Sequence, residues 1–251
     1  MRRPLIALAA LASLAAFAAI VVATAPASLA GAALSRASGG TLILANAEGT
    51  VWRGRATLAG PRAMRLPLAW SIALLPLLRG ELRVRVLPPT AAAVTPRAEI
   101  SVQRDAVAVR DADVTIPVEA ALGFAPRLSL LAAGTVRITT ASLEWTPAAF
   151  AGGLAADWRD ARIGLPDNAD TSLGTVTAAL TAAGERLTGP VTNDGGAFGV
   201  RGTFSVSSSG APDVSIALTP RGGDPAQART LTVTGGSAGA GLNLDLRSGP
   251  R

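Results

Sequence analysis

The sequence predicts a mainly β protein: an N-terminal single transmembrane helix, then an antiparallel β-sheet domain, either a sandwich or a curved half-barrel, with a few short helices. Three observations carry this reading. No charged residue lies between Arg3 and Arg36. Beyond residue 40, apolar and polar residues alternate with a period of two, which sends successive side chains to opposite faces of a strand. Gly and Pro pairs punctuate that alternation at spacings that suit turns, among them Gly60-Pro61, Pro88-Pro89, Gly189-Pro190, Gly195-Gly196 and Gly222-Gly223.

The apolar segment comes first in the chain. Residues 5–25 carry no charge, and at about 1.5 Å rise per residue they reach about 31 Å, enough to cross a hydrocarbon core. Arg2 and Arg3 precede the run, which holds that end in the cytoplasm and places the bulk of the chain on the far side. A cleaved signal peptide competes with a retained anchor, because Ser28-Leu29-Ala30 before Gly31 offers small residues where a signal peptidase needs them. The length of the apolar run favours the anchor. Residues 1–30 are therefore read as a membrane anchor (or uncleaved signal), and 31–251 as an exported β-rich domain.

Strand patterns follow. Trp52, Gly54, Ala56 and Leu58 are expected on one strand face, with Val51, Arg53, Arg55 and Thr57 on the other. Leu82, Val84 and Val86 alternate with Glu81, Arg83 and Arg85, and Val114, Ile116 and Val118 with Asp113 and Thr115. Phe198, Val200, Gly202, Phe204 and Val206 continue the pattern, as do Val214/Ile216/Leu218, Leu231/Val233 and Leu242/Leu244/Leu246. One apolar and one wet face is the pattern of half-buried antiparallel strands. Short helices are expected at residues 70–78, interrupted by Pro76, and at 146–151, where Thr146 can cap and Pro147 can open the first turn. Residues 120–133 are ambiguous, being broken by Pro126.

A faint echo divides the domain into two similar halves, 31–140 and 141–251. Leu68-Ala69-Trp70 precedes Gly80 and a strand, as Leu143-Glu144-Trp145 precedes Gly153 and a strand. Gly-Thr-Val begins at Gly49, Gly134 and Gly174. These repeats suit two similar β-layers.

Composition narrows the function. The 251 residues include 23 Arg but no Lys, His, Cys or Tyr. Thiol and imidazole catalysis, zinc fingers and Schiff-base chemistry are thereby excluded. Asp111/Asp113 and Asp157/Asp160 are the close acidic clusters; Asp157-Trp158-Arg159-Asp160 reads as local ion pairs and not as a metal site, and Asp167-Asn168-Ala169-Asp170 as a turn. The expectation is a protein that is no enzyme, with no cofactor, no small-molecule substrate and no nucleic acid partner, since no basic cluster is interleaved with aromatics. Charge is uneven: residues 31–140 carry 13 Arg against 7 acids, and 141–251 carry 8 Arg against 10. A basic half could face inner-membrane lipid or an acidic partner, or form the solvated face of strands. The four tryptophans, Trp52, Trp70, Trp145 and Trp158, read first as core anchors, with partner or lipid docking as the other possibility. A glycine two residues from Trp52, at Gly54, leaves room for an indole to lie on the sheet.

The anchor, then Ala25-Pro26-Ala27-Ser28-Leu29, then Glu48-Gly49-Thr50-Val51-Trp52-Arg53-Gly54-Arg55-Ala56 resembles the start of the type II secretion system protein N (GspN-type) family. Leu68-Ala69-Trp70 with Gly80-Glu81-Leu82, and Leu143-Glu144-Trp145 with Gly153, extend the likeness; Gly199-Val200-Arg201-Gly202-Thr203-Phe204 fits more loosely. The resemblance implies a non-enzymatic accessory of the inner-membrane platform that supports export of folded periplasmic proteins across the outer membrane. It implies other secretion-system subunits as partners, and a single-pass inner-membrane protein with its C-terminal domain in the periplasm. Candidate structural or interaction residues are Gly49, Trp52, Gly54, Trp70, Gly80, Trp145 and Gly153. The alternative is an envelope protein similar to the AsmA/TamB type, which binds or transfers lipid along a β-groove. The two readings divide on what covers the apolar face.

Overall fold

The computed structural model describes residues 20–60, 64–88, 96–119, 132–165, 168–210, 212–222, 229–235 and 242–248. A short helix, α1 (Ser28–Ala37), leads into β1 (Ile43–Gly49), β2 (Arg53–Ala59) and β3 (Arg65–Ala73). One helical turn, α2 (Leu74–Leu77), precedes β4 (Leu82–Leu87), β5 (Arg97–Val102), β6 (Val107–Pro117) and β7 (Ala132–Trp145). The chain continues through β8 (Phe150–Leu165), β9 (Asn168–Ala183), β10 (Arg186–Asp194), β11 (Phe198–Ser207) and β12 (Pro212–Pro220). It ends in β13 (Arg229–Gly235) and β14 (Leu242–Ser248). The 14 strands among the described residues form one sheet in chain order, each antiparallel to the next. Of the two arrangements open at the level of sequence, the sandwich is therefore not the one formed. The sheet is a single layer, and residues 31–140 and 141–251 both contribute to it.

Cross-strand register explains why the alternation works. Gly54 pairs with Trp70, Trp70 with Val86 and Val86 with Ala98; Ile72 pairs with Val84, and Val84 with Ile100. Directly opposed residues share a face, so these apolar side chains line one side from β2 to β5. On the same side lie Val114, Ile138 and Ala156, then Ala178 and Val191, then Gly202 and Ile216. The other face carries Arg53, Ser71 and Arg85 at one end, and Thr188, Ser205 and Asp213 at the other. A one-residue slip anywhere would exchange the two faces.

Register is adjusted by bulges, and their sequence logic is local. Among the described residues, the non-glycine positions with positive φ are Asn46, Asp111 and Asp160, at 53°, 47° and 51°. Each sits at a register shift: Asn46 between Ala45 and Glu48, Asp111 where β6 passes Arg97 and Glu99, and Asp160 between Trp158 and Ala161. Asn and Asp tolerate the left-handed conformation because their short polar side chains bond locally. Two acids of the expected carboxylate pairs, Asp111 and Asp160, are thus backbone devices that bend strands.

Two apolar clusters form on the sheet. The first joins Ala27, Ala56 and Trp70, flanked by Ala30, Leu44, Leu68, Ile72 and Val84. The second gathers Ala161, Ile163, Leu173, Val176, Val191, Val200 and Leu218, flanked by Trp158, Phe198 and Phe204. Between them, Ile100, Val109, Val114 and Ile138 are only half-buried.

Several expectations change. Residues 146–151 form no helix: Thr146 and Ala149 close a hairpin turn, with Thr146 N–H donating to Ala149 O at 2.8 Å, and Phe150 opens β8. The Thr146 hydroxyl oxygen accepts the Ala149 N–H at 3.0 Å, the same local bond an N-cap makes. The helix expected over 70–78 shrinks to α2, because Trp70 to Ala73 extend β3 and pair with β4. Trp52 is not on the face of β2, which begins at Arg53. Residues 120–131 and 1–19 lie outside the described residues, so most of the expected anchor does too. Among the described residues, no helix is long and apolar enough to cross a membrane.

Candidate functional site

The sequence-predicted residues Gly49, Trp52, Gly54 and Trp70 meet at one end of the sheet, where the β1–β2 turn receives the chain arriving from the N-terminal segment. Residues 20–23 are helical and are followed by Pro26, which forms an isolated bridge with Thr50. Ala27 N–H donates to Gly49 O at 3.1 Å, and Val51 N–H to Ala25 O at 2.9 Å. The indole of Trp52 swings back and donates from Nε1 to Val22 O at 2.7 Å. Four consecutive motif residues therefore stitch the incoming segment to the sheet.

Trp70 secures the other side of the same turn. Its indole Nε1 donates to Val51 O at 2.8 Å, and the residue is 6% exposed. It lies over Gly54, where an added Cβ would overlap the ring and come within 2.8 Å of Glu48 O. The room that Gly54 provides is thus filled from β3, across the strands, and not by Trp52 two residues away. Gly49 has φ +92, and a Cβ there would approach Arg53 O at 2.5 Å, so a side chain would be strained on both counts. Glu48 and Arg55 are paired in register and close the motif with an exposed ion pair of 2.6 Å. Every residue from Glu48 to Arg55 has a structural task here, Arg53 through its backbone bonds to Thr50 while its side chain stays exposed.

Gly80 belongs to the neighbouring turn at this end, following α2 with φ +76 and open space around it. Trp145 and Gly153 lie elsewhere. Trp145 ends β7 and donates from Nε1 to Ser208 O at 2.9 Å, tying β7 to the β11–β12 turn. Gly153, in β8, faces β9 so closely that a Cβ would lie 2.6 Å from Leu180 O. Trp158 completes the set, donating to Ala133 O at 3.0 Å. All four indoles thus bond backbone carbonyls of another segment, which favours the anchoring role over free docking surfaces.

One important residue was not singled out by sequence. Asn193 donates from Nδ2 to Leu173 O at 2.6 Å and Phe198 O at 2.7 Å, and its Oδ1 accepts Val200 N–H at 2.6 Å. It cross-links β9, β10 and β11 where a turn folds over the sheet, and Arg221 joins it at 3.0 Å. The only sequence signal is its place in Asn193-Asp194-Gly195-Gly196, which reads as an ordinary turn.

The polar face is laced with ion pairs in the basic half. Arg83 meets Glu81 at 2.8 Å and Glu99 at 3.7 Å, Arg85 meets Glu99 at 2.9 Å, and Arg137 grips Asp113 through two bonds of 2.8 and 2.6 Å. The Arg137 hydrogen bond holds the Asp113 carboxyl below its ordinary range, and the Glu81 bond holds Arg83 above its own. Among the described residues, no group of three or more acids could hold a metal ion. A family model described as type II secretion system (T2SS), protein N matches residues 41–243. No curated protein and no solved structure matches the chain.

Proposed function

Since the chain belongs to the type II secretion system protein N family, its role is accessory to type II secretion, and we propose that it works within the inner-membrane platform. In this reading the protein is not an enzyme. It stands in the periplasm on a single N-terminal span and contacts other platform subunits, so supporting export of folded proteins across the outer membrane. The carrying observation is the extent of the match, which starts just before β1 and reaches into β14. It therefore covers β1 to β13 and the start of β14, together with the Gly49–Trp52 knot. Support for a retained span comes from the same place: Ala27 and Gly31 are buried against the sheet, so the residues flanking the candidate cleavage point at Ala30 belong to the fold. Deleting the gene in its own host should strand secreted enzymes in the periplasm. Normal secretion in that strain would overturn the proposal.

A second reading draws on a different observation. The stretch of the apolar face that carries Ile100, Val109, Val114 and Ile138 is half-buried on a one-layer sheet, which suits an acyl chain lying along a β-groove. Protein extracted in mild detergent should then carry phospholipid detectable by mass spectrometry. A lipid-free preparation would dismiss this alternative.

A further inference from the structure

The hairpin turns at the knot end of the sheet differ sharply in chemistry. The β5–β6 turn holds Gln103, Arg104 and Asp105; the β9–β10 turn holds Gly184 and Glu185; the β11–β12 turn holds Ser208, Ser209 and Gly210. The β3–β4 turn instead presents Leu74, Leu75 and Leu78, exposed to 54%, 79% and 85%. Leu75 and Leu78 are the most exposed of the large apolar side chains named among the described residues, well above Ile43, Leu82 and Leu87 in the strands, and three leucines in water on one tip are unusual.

Their position gives the reason. Arg53 pairs with Ser71, so the tip projects from the same end as the β1–β2 turn. A shallow groove lined by Ala23, Trp52, Ile72, Leu74, Leu75 and Pro76 runs from the tip to the end of the N-terminal helix. There Ile20, Val21 and Val22 are exposed as well, and they are the end of the apolar run that begins at residue 5. The Trp52–Val22 bond and the Ala25 and Ala27 backbone bonds hold this end close to the sheet. Exposed Arg79 follows Leu78, which suits a leucine tip in acyl chains below a cation at the headgroups.

We propose that Leu74, Leu75 and Leu78 insert into the phospholipid bilayer beside the point where the N-terminal segment leaves it. The sheet then stands on the membrane at two points, the segment and the tip, and its orientation to the membrane is set. This rests on reading residues 5–25 as a membrane span. A bilayer is the occupant that explains both parts of the patch at once, because Leu74 and Leu75 share their groove with Ala23, near the end of the run read as the span.

The chain has no native cysteine, so single labels are clean. Full-length Leu75→Cys, Leu78→Cys and Ser209→Cys variants, each carrying an environment-sensitive nitrobenzoxadiazole label, are reconstituted into phosphatidylethanolamine/phosphatidylglycerol vesicles with spin-labelled lipid. Labels at 75 and 78 should emit at shorter wavelength and be quenched at least about twofold more than the label at 209. Quenching at 75 and 78 equal to that at 209, in protein that floats with the vesicles, overturns the tip contact and leaves the span standing. Failure to float overturns both. Blue-shifted emission without lipid quenching also overturns the proposal, since it means another protein surface covers the tip. A Leu74→Asn/Leu78→Asn background should reduce quenching at position 75 if lipid is the contact.

Discussion

At its two ends the sheet meets the same difficulty with different means. A single antiparallel layer has an apolar face with no second sheet to cover it. Around β1–β4 the cover is brought in from outside: α1 lays Gly31 against Leu44 and Ala30 against the Ala27, Ala56 and Trp70 cluster, and Ala25 and Ala27 just before the helix are held by backbone bonds to the Gly49–Trp52 turn. Around β8–β12 the strands cover one another. Bulges at Asp160 bend β8, and Asn193 pulls the β10–β11 turn over β9, so Ala161, Ile163, Leu173 and Val200 converge without a helix. Anchoring is indirect in the first case and internal in the second. The lesson is that a one-layer sheet is closed locally, wherever a few specific contacts bring something over it, and stays half-open between those places.

That contrast can be broken by experiment. The largest effect is expected from Trp70→Ala, which removes the ring over Gly54 and the bond to Val51 O; about 3–5 kcal/mol should be lost. Hydrogen exchange should show faster opening of α1 and β1–β3 with β8–β12 unchanged. Equal acceleration at both ends would mean that the two regions are one cooperative unit. Asn193→Ala tests the other end by leaving Leu173 O, Phe198 O and Val200 N–H without this partner, at a cost of about 2–3 kcal/mol. Its exchange signature should be the reverse, confined to β9–β11.

Smaller changes sharpen the picture. Asp160→Ala should cost about 1–2 kcal/mol because alanine is strained in the left-handed region, whereas Asp160→Gly should cost less or nothing. Denaturant midpoints of the two variants decide the matter; equal losses would show that the carboxylate, and not the backbone, is what matters. The smallest effect belongs to the polar face. Asp113 has its carboxyl held low by Arg137, so the pair stabilises the fold above the ordinary carboxylate range. That contribution disappears as the pH falls through the depressed value. Asp113→Asn should therefore lower stability at neutral pH by at most about 1 kcal/mol, the pair being well exposed. The difference from the unaltered protein should vanish in acid, as thermal melts across pH will report.

Much of the candidate site was legible as a motif and little of it as geometry. Gly54 announces close packing because a glycine inside a strand invites a neighbour, but Trp52 and Trp70 are equally plausible occupants until strands are paired. Only the register, Gly54 opposite Trp70, selects one. Residues 146–151 mislead for a related reason: a threonine accepting the N–H three residues on opens a helix and closes a turn with the same bond. Asn193 is invisible because its partners lie on two other strands.

The sequence by itself determined the strand class and the apolar side of the segments that alternate, such as 82–86, 114–117 and 198–206, since alternation depends only on neighbours along the chain. It also determined the family, through short Trp and Gly motifs whose spacing survives without knowledge of pairing. Only the tertiary structure decided that the 14 described strands form one layer, that Trp52 ties the incoming segment while Trp70 fills Gly54, and that the leucine tip shares a groove with that segment. Those outcomes rest on contacts between residues far apart in sequence, where a two-residue period looks the same whichever strand comes to lie alongside.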